Sequence, residues 1–141
     1  MKVFVDSSVI IYGLEQEKSN SAIILDLIFD GEIKAYVSEK VVDEIRRYFK
    51  HRRSREYAFF VTTTIRNNFE VMPREEIEDE IHKWRGRIKE KDLEHLATSK
   101  YKRLKYLIAY DRDFADAGVE EYITPKEYLM RLGLRHYDVG Y

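Results

Sequence analysis

Five short runs of β-forming residues punctuate the chain: KVFV (2–5), IKAYV (33–37), FEVM (69–72), YLIA (106–109) and YIT (122–124). Longer stretches with apolar residues at helical spacing separate them. This alternation constrains the fold more than any other feature, because strands joined by helical crossovers pair in parallel and need helices on both faces. Helices are expected over 18–30, 38–51, 54–67, 75–85, 92–103 and 125–132, with Ser38 placed to cap one and Pro125 suited to the first turn of another. The expected class is therefore α/β with a mostly parallel sheet. No repeat, low-complexity run or Pro/Gly/Ser linker divides the chain, so residues 1–141 read as a single domain, with 135–141 a candidate flexible tail.

In such sheets ligands bind beyond the carboxyl ends of the strands. Asp6 directly follows KVFV, and Asp111 and Asp113 lie just beyond YLIA in the stretch LIAYDRDF. Taken singly, each is an ordinary cap or turn aspartate. Glu44 lies in SEKVVDEIRRYF, at the margin of an apolar stripe formed by Val41, Val42, Ile45, Tyr48 and Phe49, while Asp43 points to solvent. Asp92 opens DLEHLATSKY at the border of that helix's buried face, and by the same angular count Glu94 and His95 turn outward. If the fold is as read, all five acids converge on one sheet edge. Four ionised carboxylates spaced by ~6 Å at an effective dielectric near 20 repel by about 17 kcal/mol in all, against the ~5–15 kcal/mol stability of a typical domain. Such a cluster must take up protons or bind a cation.

The chain has no cysteine, and its four histidines, His51, His82, His95 and His136, show no paired ligand spacing, so they are expected at the surface or at caps. Oxygen-only ligation points to Mg²⁺ or Mn²⁺, metals that serve phosphate chemistry. A formal charge of −1, from 25 Lys and Arg against 26 Asp and Glu, does not announce a nucleic-acid partner, so one must be met by a local patch. The acid-free run RRYFKHRRSR supplies a candidate in Arg46, Arg47, Lys50, Arg52 and Arg53. Absence of cysteine fits a reducing compartment. The opening MKVFVDSSVIIYGL carries Asp6 and lacks a small-residue cleavage site, so it reads as structure, and the expected location is cytoplasmic with no membrane partner.

With VFVDSSVII, SEKVVDEI, KDLEHLATS, LIAYDRDF and YITPKEYL in that order, the chain resembles the PIN-domain family of metal-dependent ribonucleases, including the VapC-type toxins of toxin–antitoxin pairs. The resemblance implies a three-layer α/β/α domain with a sheet of order 3-2-1-4-5. It implies Asp6, Glu44, Asp92 and Asp111 as the acidic cluster, Asp113 as an accessory acid, and Ser7 as a hydroxyl near the metal. Asp6, Asp92 and Asp111 are the expected metal ligands, for Mg²⁺ or Mn²⁺. The implied partners are RNA, an antitoxin protein and a second copy of the chain. Where the family usually has threonine two residues before the last motif's aspartate, this chain has Ala109, so a hydroxyl is missing unless Ser7 or Ser8 replaces it. Ala109 is also the best support for an alternative to a toxin nuclease, a weak or inactive binding module, and a housekeeping RNA-processing enzyme is a third reading. A haloacid-dehalogenase-like phosphatase is set aside because it needs an acid where Ser8 stands.

Overall fold

The computed structural model describes residues 1–140. Strands β1 (Lys2–Val5), β2 (Lys34–Ser38), β3 (Glu70–Met72), β4 (Tyr106–Ile108) and β5 (Tyr122–Ile123) form one sheet of order β3-β2-β1-β4-β5. Every pairing is parallel, with Phe4 opposite Tyr36 on one side of β1 and opposite Leu107 on the other. Central strands of such a sheet are covered on both faces and so read as unbroken apolar runs. Accordingly Val3, Phe4, Val5, Leu107 and Ile108 are all buried.

The helices are α1 (Ser7–Glu15), α2 (Asn20–Phe29), α3 (Glu39–Arg52), α4 (Arg55–Asn68), α5 (Glu78–Trp84), α6 (Glu90–Tyr101), α7 (Asp113–Asp116) and α8 (Pro125–Arg131). Side-chain caps fix several starts. Ser19, Ser38 and Ser54 each accept the backbone N–H of the third helical residue, and Thr124 with Glu127 forms a capping box around Pro125. Helices α1 and α2 pack together with α8 against α2, whereas α6 lies on β1, β2 and β4 with α3 and α5 beside it. This is the expected three-layer α/β/α arrangement.

Helix α1 departs from the expectation, which assigned no helix before residue 18. Its sequence SSVIIYGLE is rich in β-branched residues, yet tertiary packing outweighs that weak propensity. Gly13 permits the packing: a Cβ there would lie 2.7 Å from Leu25 Cδ1 and 3.0 Å from the Ser21 backbone. The expected flexible tail is instead tied back. Asn20, fully buried, donates to the carbonyls of Tyr137 and Val139 at 3.1 and 3.2 Å and accepts from the Tyr137 N–H at 2.7 Å. Tyr141 lies outside the described residues. Among the described residues, no helix is long and apolar enough to cross a membrane.

Candidate active site

Strand β1 has β2 on one side and β4 on the other, so crossovers leave it and return in opposite directions and open a crevice at the strands' carboxyl ends. The Asp6 N–H bonds the Ile108 carbonyl at 3.0 Å, which fixes the ends of β1 and β4 side by side. A cavity of about 400 Å³ opens there, lined by Asp6, Ser7, Ser8, Glu44, Lys91, Asp92, His95, Tyr110 and Asp111. The predicted acids from four separate segments thus meet in one cleft.

Their individual contacts separate capping from other roles. Asp6 occupies the N-cap position of α1, yet its side chain makes no capping bond. Its Oδ2 accepts from Ser8 Oγ at 2.8 Å and its Oδ1 lies 3.3 Å from His95 Nε2. Asp111 does serve its turn, because Oδ1 accepts the Asp113 N–H at 2.8 Å, but Oδ2 is directed to Lys91 at 2.6 Å. Asp113 pairs with Lys89 at 2.9 Å and Lys91 at 3.3 Å. Asp92, only 5% exposed, leaves Oδ2 buried without a hydrogen-bond partner, the nearest cation being Lys91 Nζ at 4.0 Å. Glu44 Oε1 accepts from Ser7 Oγ at 3.2 Å and lies 3.3 Å from His95 Nε2.

Asp92, Asp111 and Asp113 each offer an oxygen within 4.8 Å of the others, the spacing of ligands around one cation. Asp113, expected as an accessory acid, is thus grouped with Asp92 and Asp111, while Asp6 stands in the same cleft, where Ser8 and His95 engage it. The orphaned Asp92 oxygen and the all-oxygen donor set fit a hard divalent cation. Ser7 and Ser8 supply the cleft's hydroxyls, and Ala109 is fully buried.

His95 corrects the angular count. It is 1% exposed, its Nδ1 lies 3.2 Å from Ser38 Oγ, and its ring packs on Phe4 with centroids 5.4 Å apart. The count assumed one solvent face, but α6 is a central helix in which Asp92, Leu93, His95, Leu96, Ala97, Thr98 and Ser99 are all buried. The sequence did carry a signal, since positions i and i+3 share a face and Asp92 already pointed inward. Burial alone would lower the imidazole's pKa. The bond to Glu44 and the charges of Asp6, Glu44 and Asp92 outweigh it, so the pKa is raised and the charged form of the ring is favoured. Burial likewise opposes ionisation of Glu44, but His95 and Ser7 bring its pKa below the ordinary value. Asp92 goes the other way: burial, reinforced by the like charges of Asp111 and Asp6 and only partly opposed by Lys91 and His95, pushes it up to about 6.

The cluster thus relieves its repulsion in a way the sequence reading omitted, with Lys89, Lys91 and His95 as cations of its own. Five carboxylates less these three leave two net negative charges when all are ionised. The basic run divides. Arg46 and Lys50 line a second cavity of about 330 Å³ with Arg55 and Phe59, and around α3 they lie about 160° and about 120° from Glu44. Arg46 and Arg47 both bond Asp43, Arg52 stacks over Tyr48 and Arg53 over Tyr57. Arg47 and Arg52 lie nearer to Glu44 around α3, at about 60° and about 80°, though neither lines the cleft.

Fold and site together define a doubly wound α/β domain with an acid-lined cleft at its topological switch point. A family model for the PIN domain matches residues 3–120. The chain belongs to the PIN domain family. Similar solved structures include VapBC2 from Rickettsia felis bound to a DNA fragment from its promoter (TM-score 0.70, 11% identity, covering 88% of this chain and 98% of that one). A toxin–antitoxin complex from Klebsiella pneumoniae gives a TM-score of 0.68 at 19% identity over 89% of this chain and 98% of that one. VapC20 of Mycobacterium tuberculosis, described as a sarcin–ricin loop cleaving toxin, gives 0.62 at 20% identity over 84% and 97%. At these identities the likeness is one of fold. No curated protein matches the chain in sequence.

Proposed function

We propose that the chain is a metal-dependent endoribonuclease that hydrolyses RNA phosphodiester bonds and acts as the toxin of a toxin–antitoxin pair. The observation that carries this reading is the buried, unpartnered Asp92 oxygen beside Asp111 and Asp113 at the sheet's switch point. A bound Mg²⁺ or Mn²⁺ would supply an activated water and neutralise charge on the phosphate oxygens. Asp92, Asp111 and Asp113 would hold that cation. Asp6 and Glu44, held by Ser8, Ser7 and His95, would be positioned to accept a proton from water entering the cleft. Arg47 and Arg52 flank Glu44 and offer phosphate contacts, whereas Arg46, Lys50 and Arg53 would meet the strand farther along α3. The similar structures with a partner are toxin–antitoxin complexes, which supports an antitoxin partner here. A homodimer and a cytoplasmic setting complete the proposal.

One observation favours a second reading, an RNA- or protein-binding module without catalysis: Lys91 already neutralises part of the acid trio, and Ala109 removes a hydroxyl. Incubation of the purified protein with RNA and Mg²⁺ or Mn²⁺, alongside Asp6→Asn and Asp92→Asn, separates the two. The nuclease reading expects metal-dependent cleavage lost in both variants. Equal cleavage by all three proteins, or none by any, removes it. An adjacent small antitoxin-like gene would favour the toxin over a housekeeping RNA-processing role.

A further inference from the structure

The cations of the cleft differ in how they are held. His95 is buried and gripped from both ring nitrogens, so it has no route to solvent. Lys89 reaches Asp113. Lys91, with 56% of its side chain exposed, places its ammonium 2.6 Å from Asp111 Oδ2, 3.3 Å from Asp113 Oδ2 and 4.0 Å from Asp92 Oδ2. Those are the residues whose oxygens gather within 4.8 Å. A divalent cation such as Mg²⁺ sits roughly 2.0–2.1 Å from its oxygens. Its seat and the ammonium position therefore overlap at Asp111, and two cations so close repel strongly. We infer that Lys91 is a resident counter-ion of the metal seat, and that its withdrawal and the binding of one divalent cation are a single exchange. This rests on the metal site proposed above but not on cleavage.

The sequence supports the mobility. Lys91 immediately precedes Asp92 in the first turn of α6, and with 56% of its side chain exposed its four-carbon stem has room to swing the ammonium from the cleft to solvent. In the metal-free state it screens Asp111 and Asp113. It satisfies Asp92 least, at 4.0 Å without a hydrogen bond, so the seat stays incomplete for the ammonium in a way that a divalent ion would complete. Apparent metal affinity falls with the fraction of molecules whose seat is open. The chain thus sets its own threshold for metal loading.

The test is calorimetric titration of Mn²⁺ into wild-type protein, Lys91→Met and Lys91→Arg, with melting points in EDTA and in Mn²⁺. A lysine seated in about nine molecules of ten weakens apparent binding by about tenfold, so Lys91→Met is expected to bind one Mn²⁺ about tenfold more tightly. Lys91→Arg retains the charge and should bind no more tightly than wild type. In EDTA Lys91→Met should melt lower than wild type, and Mn²⁺ should raise its melting point more. Equal or weaker Mn²⁺ affinity in Lys91→Met overturns the exchange. So does the absence of Mn²⁺ binding by any of the three, which would make Lys91 a permanent counter-ion. The expected affinities without RNA cleavage would uphold the exchange and remove only the nuclease reading.

Discussion

Asp92→Asn should stabilise the metal-free protein at neutral pH, the reverse of what removing a buried hydrogen-bonded acid does. Burial and the neighbouring charges push the folded carboxyl up to about 6 from its ordinary 3.8. Above pH 6 the folded state must hold an ionised group that it disfavours. Below 3.8 both folded and unfolded forms are protonated and the penalty disappears. A shift of about two units at 1.36 kcal/mol each places the penalty near ~3 kcal/mol at pH 7.5, falling away as pH drops from 6 towards 3.8. Asparagine removes the charge and brings an N–H₂ donor to the neighbouring carboxylates. The expected gain is therefore about 1–3 kcal/mol, or roughly 2–10 °C in melting point for a chain of this size. The assay is urea and thermal unfolding in EDTA at pH 7.5 and 4.5, then at pH 7.5 with saturating Mn²⁺. The gain should shrink at pH 4.5, and Mn²⁺ should stabilise wild type alone. If Asp92→Asn unfolds at the same or lower urea concentration than wild type in EDTA at pH 7.5, Asp92 is not a strained carboxylate and the reasoning for a cation seat fails.

His95→Gln should destabilise the protein by about 3 kcal/mol, since it leaves the buried Asp6 and the half-buried Glu44 without their counter-charge. Because the imidazole's pKa is raised on folding, its contribution is complete below the unfolded value of 6.5 and is lost as pH rises through the folded value, so the gap between variant and wild type in urea should narrow in alkaline buffer. Gly13→Ala should cost about 1–3 kcal/mol through overpacking of α1 on α2, read as a lower melting point. An unchanged melting point would mean that the two helices separate easily.

The layers were legible because strand runs and helix caps are local. KVFV, YLIA and the cap at Ser38 each announce themselves within four residues. The meeting of Asp6 with Asp111 was legible at one remove, through the rule that parallel sheets carry their sites at the strand ends. What stayed hidden depends on α6. An amphipathic count gives a helix one wet face, and α6 has almost none, so His95 was assigned to solvent. Lys91 was missed for a different reason. Its backbone position, beside Asp92, was plain, but the direction of a long flexible side chain is set by distant charges, here Asp111 and Asp113, rather than by neighbours in sequence.

The burial of α6 explains why the site is built as it is. Strand ends alone bring two carboxylates together, Asp6 and Asp111. A third must come from an element that crosses them, and a helix packed against β1, β2 and β4 delivers Asp92 there only by being inserted into the core. That insertion strips water from Asp92 and raises its pKa, while the same burial fixes His95, one turn along, under Asp6 and Glu44. The carboxylates beneath α6 are therefore balanced by a charge that cannot move, and those at its exposed first turn by one that can. A helix moved outward by half a turn would solvate Asp92, free His95 and abolish the strain that makes a cation favourable there. Position along α6 thus separates the permanent half of the cleft from the exchangeable half.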